Sequence, residues 1–157
     1  MSRLQQLVDE YVAGCKILRQ AVAGMTQAQL SARPVAGRWS TLGVVCHLAD
    51  FEPVFTDRMK RVIALENPTL LGADENKFAA TLAYHDRDLE EELTIVDKTR
   101  SQMARILRKQ PESVLAKIGT HSEKGPRTIE QLLTTAIGHI THHVKFIHDK
   151  RQALGLK

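Results

Sequence analysis

Four of the chain's seven histidines fall within the stretch GHITHHVKFIH: His139, His142, His143 and His148. A neutral imidazole offers a nitrogen lone pair that can bind a metal or accept a proton, so such crowding raises the question of a metal centre. In an α-helix, residues four apart differ by about 40° in direction and about 6 Å in height. His139 and His143 therefore share a face, the spacing with which one helix chelates a divalent ion. His142 and His148 turn away from His143 by roughly 100° or more, toward solvent or the flank of the helix. Two histidines at this spacing also arise by chance, so a third donor is needed. His47 supplies a candidate, three residues after Val44 and four before Phe51, beside the apolar stripe of another segment. Three neutral nitrogen ligands would leave positions for water, the pattern of a catalytic rather than a closed structural site. The metals compatible with it are Zn, Ni, Fe, Co and Mn.

Positioning these side chains requires helices, and the apolar pattern supplies four. Leu4, Val8, Tyr11, Cys15, Leu18, Val22 and Met25 alternate steps of four and three, the inward stripe of a first helix. The segment GMTQAQLSARPVAGRWS breaks it with Gly, Pro and Ser, leaving room for one short helical turn at TQAQL. Ser40 caps a second helix, with Trp39 placed to pack on Val44, and its stripe runs through Leu48, Phe51, Phe55, Met59 and Val62. Pro53 interrupts that stripe and predicts a kink. ENPTLLGADEN reads as a loop. A third helix follows through Leu89, Leu93, Val96, Met103 and Leu107, entered around Asn76 or Asp86. QPESVLAKIGTHSEKGPR reads as a connection, and Thr128 with Gln131 forms a capping box opening the fourth helix through Ile129, Leu133, Ala136, Ile140, His143 and Ile147. Four amphipathic segments without strand alternation predict an all-α four-helix bundle, residues 1–157 forming a single domain.

Two stretches resemble the DinB-like (DinB/YfiT) superfamily. RWSTLGVVCHLADFE is similar to its WS…H-L-x-D-x-E segment, and THSEKGPRTIEQLLTTAIGHITHHVKFI to its later H-P-x-x-G-x-x-T…H-x-x-x-H-x-x-x-I segment. The resemblance spans most of the chain in the right order. It implies a four-helix bundle, often dimeric, with a divalent metal held by three histidines, here His47, His139 and His143. It also implies thiol transfer with a low-molecular-weight thiol onto a small-molecule substrate as the leading chemistry, with metal-dependent hydrolysis next. A non-catalytic metal-binding bundle is the alternative of another class. The chain departs from the pattern at Ser122, where Pro is usual, and at Ile140, where Asp is frequent. With no acid at that position, Asp50 and Glu52 become the candidate acceptors for a ligand N–H, weighed against plain solvation on a helix surface.

His85 and Arg100 fall where the third stripe expects apolar side chains. His85 could be a fourth ligand or a proton carrier, and the reading adopted is a histidine at a frayed helix start. Arg100 is read as snorkelling or pairing with an acid. The charge of +4 is spread along the chain, and DKTRSQMARILRKQ reads as a solvated helix face rather than a nucleic-acid groove. The N-terminus shows no signal-peptide pattern and no apolar run reaches the ~18 residues of a membrane span, so a cytoplasmic protein is expected. Cys15 and Cys46 are neither a CxxC pair nor a disulfide framework and read as reduced core residues.

Overall fold

The computed structural model describes residues 1–156. Four long helices carry the apolar stripes: α1 (Arg3–Val22), α3 (Thr41–Ala64), α5 (Leu89–Leu107) and α6 (Ile129–Ala153), with the short α2 (Gln27–Ser31) and α4 (Glu75–Thr81) between them. Each long helix begins on a side-chain cap that satisfies an otherwise orphaned N–H. Ser2 and Thr128 form capping boxes with Gln5 and Gln131, Ser40 accepts from the Gly43 N–H, and Asp88 accepts from that of Glu91. The short turn at TQAQL is α2, capped by Thr26 with Gln29.

α1 packs against α5 and α6, and α3 packs against the same two helices. Consecutive long helices α1 and α3 are therefore diagonal, unlike the neighbours that short loops produce in an up-and-down bundle. The core divides into two apolar clusters along the bundle. One is built around Leu7, Phe55, Met59, Met103 and Leu133, the other around Leu18, Leu48, Val96, Ile140 and Ile147.

Between them lies a buried charged brace. Arg100 of α5 is completely buried, and its Nε and Nη2 lie 2.9 and 2.8 Å from Glu52 Oε2 of α3. Nη1 donates to the Tyr11 carbonyl of α1 and Nη2 to the Ala136 carbonyl of α6, both at 2.6 Å. The Tyr11 hydroxyl donates to the other oxygen of Glu52. All four long helices are thus tied to one guanidinium. Gly14 makes room for it, since a Cβ there would collide with Arg100 Nη1. Arg100 pairs with an acid, as its sequence position suggested, but Glu52 is neither on the helix surface nor beside a histidine ring nitrogen.

Three expectations need correction. The segments read as loop and connection hold a small sheet, β1 (Thr69–Leu70), β2 (Ile118–His121) and β3 (Gly125–Thr128). β1 runs parallel to β2 with Leu70 opposite His121, and β2 is antiparallel to β3 with His121 opposite Gly125. Strands of two to four residues interrupted by Gly and Pro carry no period-two pattern, which is why the sequence hides them. The third helix does not start at Asn76 or Asp86: α4 stops at Thr81, a turn follows, and α5 opens only at Leu89. His85 lies in that turn, exposed, so it faces no core. α3 runs from Thr41 to Ala64 with Pro53 inside it, on the exposed side, so the proline lies within the helix as its place in the stripe implied and does not end it. Among the described residues, no helix is long and apolar enough to cross a membrane.

Candidate metal centre

His47 from the second turn of α3 meets His139 and His143 from α6, one ring nitrogen of each lying within 4.8 Å of the others. His47 Nε2 and His139 Nε2 are 2.9 Å apart, and the three ring centroids are 4.5 to 4.8 Å from one another. Local structure explains the meeting. The Ser40 cap fixes the start of α3 and hence the direction of His47 two turns on, while the Thr128 cap sets the register of α6. Aromatic rings close around the cluster: Phe51 and Trp39 lie 4.6 and 5.2 Å from His47, and Phe55 lies 5.1 Å from His139.

The electrostatics follow from this enclosure. Burial disfavours the imidazolium and lowers His47 to about 4 against the opposing pull of Asp50; for His143 and His139 the neighbouring histidines add to burial, lowering them to about 3 and about 2. All three are neutral at pH 7, the form that donates a lone pair to a metal. Their Nδ1 atoms are buried without a hydrogen-bond partner. Histidines buried for structural reasons find partners, because an unmade hydrogen bond costs roughly 1–3 kcal/mol. Three such rings turned toward one another fit a divalent ion at the shared point.

These values carry a sign. Each histidine binds a proton in the unfolded chain near pH 6.5 but resists it in the fold, so the stability it contributes is present above that pH and is lost as acid is added. Metal-free protein should lose about 1 kcal/mol per histidine for each pH unit between roughly 6.5 and 4.5. Thermal melts of chelated protein at pH 7 and pH 5, compared with those of a His47→Gln, His139→Gln, His143→Gln variant, would show it. An equal pH slope in both proteins would contradict the linkage.

The remaining candidates separate cleanly. His142 and His148 are exposed and outside the cluster, although His142 lines the adjacent cleft, 5.0 Å from the Phe146 ring. Asp50 and Glu52 do not serve the ring nitrogens. Asp50 is held by Arg87 at 2.9 and 3.1 Å, and Glu52 belongs to the Arg100 brace. Ile140 is fully buried in the core, and Ser122 accepts the Gly72 N–H at 3.0 Å, fastening the hairpin to the segment after β1. Neither cysteine is a nucleophile in waiting, since burial pushes both thiols up to about 12.

A cleft of about 470 Å³ opens beside His139 and His143, walled by Trp39, Val44 and Phe146 and edged by Arg38 and Lys150. Lys150, almost wholly buried, gives no sign of this role in the sequence, where it reads as one more basic residue near the end of a helix. A second cleft of about 240 Å³ meets His139 from the other side, and Glu75 borders both.

The fold and site together define a helical bundle with a largely enclosed three-histidine cluster open to clefts. The chain belongs to the DinB superfamily, whose family model matches residues 10–147. It is 26% identical over 139 residues to YfiT of Bacillus subtilis, covering 88% of this chain and 78% of that one. It is 25% identical to the OB0782 protein of Oceanobacillus iheyensis, covering 84% and 76%. Both relatives carry provisional designations as metal-dependent hydrolases. The solved structure of B. subtilis YfiT, described as a four-helix bundle of unusual topology, superposes with a TM-score of 0.92 at 23% identity, covering all of this chain and 91% of that one. A DinB-family protein from Exiguobacterium sibiricum superposes with a TM-score of 0.67 at 20% identity, covering 99% and 94%.

Proposed function

We propose that the protein is a metal-dependent enzyme that transfers a low-molecular-weight thiol to an electrophilic small molecule in the cleft beside His47, His139 and His143. The observation that carries the metal is the set of three neutral imidazoles facing one another, His47 buried and His139 and His143 half-buried, whose Nδ1 atoms have no hydrogen-bond partner. A divalent ion held by these nitrogens supplies a Lewis acid that makes a thiol or a water nucleophilic at neutral pH. Neither thiol of the chain is such a nucleophile, with Cys46 buried, Cys15 half-buried and both held protonated. Arg38 and Lys150 favour an anionic guest in the larger cleft, and Trp39 and Phe146 give its apolar part a surface and exclude water. A thiol that enters as its anion needs no general base, and the two acids nearest His47 in sequence are already engaged by arginines.

Hydrolysis is the second reading, supported by the designations of the relatives and by Glu75, an uncommitted carboxylate at the border of both clefts that could take a proton from water. The test pairs small thiols with a chlorinated aromatic and an epoxide, beside a panel of esters and amides, with and without chelator. Thiol transfer that vanishes on chelation while the circular dichroism spectrum and fold persist is the expected result. Turnover of esters or amides alone would favour hydrolysis, and a domain that unfolds on chelation would make the metal structural.

A further inference from the structure

The smaller cleft, bounded by α3, the β2–β3 hairpin and the start of α6, shares His139 with the metal centre but is built differently from the larger one. Arg58 lies at its edge, nine-tenths buried. Its Nη2 donates to the Leu71 carbonyl at 2.6 Å, yet its Nε is buried without a partner. Glu123 and Asp57 are near enough to be felt, but Arg58 makes no ion pair with any described residue. A buried guanidinium missing a counter-charge is costly, and an oxyanion bound beside it would offset that cost.

Three further side chains aim the same way. Arg127, half-buried, donates only to the carbonyl of Pro126 and lines the cleft, as does Lys124. His121, 5% exposed at the end of β2, accepts the Glu123 N–H at Nδ1, at 3.2 Å. That bond fixes the proton of the neutral ring on Nε2, which makes it a donor. The carboxylates of Glu123 and Glu75 also border the cleft, so Arg58, Arg127 and Lys124 exceed the acids by one charge. Phe51, Phe55 and Leu132 provide the apolar remainder.

We propose that this cleft is an oxyanion subsite, in which Arg58 and Arg127 grip a carboxylate or phosphoryl group of a substrate and His121 donates from Nε2, leaving the reacting end of the molecule at His139. The guanidinium fork matches two oxygens at once, which selects a planar or tetrahedral oxyanion over a halide or a neutral group. The subsite rests on the reading of the histidine cluster as the reaction centre, and it names the kind of molecule that centre accepts: an apolar body carrying an anionic end. The anion can belong to the electrophile or to the thiol.

Binding is measured by calorimetry on metal-free protein, with benzoate as the probe and benzamide as its uncharged counterpart, so that no metal can account for the affinity. Wild-type protein should bind benzoate at least tenfold more tightly than benzamide. Arg58→Gln and Arg127→Gln should each abolish that preference, while Arg58→Lys, which keeps a charge but loses the fork, should retain part of it. Unchanged benzoate affinity in Arg127→Gln, a change at a half-buried position away from the core, overturns the proposal even if Arg58→Gln fails to fold. Benzamide bound as tightly as benzoate overturns it as well. In turnover, a KM raised tenfold in Arg127→Gln for N-acetylcysteine but not for its methyl ester assigns the anion to the thiol. The same shift for a carboxylated electrophile assigns it to the electrophile, and a shift for neither overturns the subsite. Charge-selective binding without turnover would leave the subsite standing while the enzymatic reading fell, whereas metal-dependent turnover without charge selectivity would do the reverse.

Discussion

Arg100→Ala should lower the stability of the domain by roughly 3–5 kcal/mol, because it strips Glu52 of its counter-charge between two apolar clusters. The carbonyls of Tyr11 and Ala136 would lose their donor in the same step. Burial already pushes the Glu52 carboxyl up, and Arg100 and Tyr11 hold it down, so removing the guanidinium should turn Glu52 into a neutral acid at pH 7. Urea unfolding of Arg100→Ala, Glu52→Gln and the double variant would separate the contributions. The double variant should recover part of what Arg100→Ala loses. A loss below about 1 kcal/mol, the usual scale of an exposed ion pair, would show that water reaches the brace.

Removing any one donor of the histidine cluster should be the largest functional lesion. His47→Ala, His139→Ala and His143→Ala should each weaken metal binding by more than about 100-fold, beyond the 10- to 100-fold typical of changes to groups that merely orient a ligand. Metal content of the purified variants by mass spectrometry, with competition against a coloured chelator, gives the number. His142→Gln and His148→Gln should retain wild-type content, since both side chains are exposed and outside the cluster. Stoichiometric metal in all three alanine variants would place the ion elsewhere.

How much of this was legible in the sequence depended on what each feature leaves in one dimension. The stripes of α1, α3, α5 and α6 repeat for five turns or more, and the Thr128 cap announces α6 one residue before it begins. His139 and His143 could be paired by spacing alone, because both sit on one helix. His47 required a second stripe to be read correctly, and its neighbours Val44 and Phe51 allowed that. Arg100 and Glu52 lie on different helices, and nothing local says that they meet. Arg58 and His121 were hidden for a related reason: they come together only through the parallel pairing of Leu70 with His121, between strands too short to show a period. Ser122 looked like a departure from a motif, and its hydroxyl proves to fasten Gly72, a bond that also has no trace in spacing.

The diagonal placement of α1 and α3 bears on how the centre comes into being. His47 and His139 are 92 residues apart, and the first of them leaves the ribosome roughly 5–20 s before the second at ordinary rates of synthesis. Before α5 and α6 emerge, α1 and α3 have little to pack on, since each lies mainly against those two helices. Core closure and ligand assembly therefore wait on the same event, the docking of α6, and until then a nascent chain offers passing ions separate imidazoles rather than a chelating pocket. Selection of the metal falls to the finished fold, whose geometry can discriminate, instead of to the unfolded chain, which takes whichever ion binds imidazole most tightly.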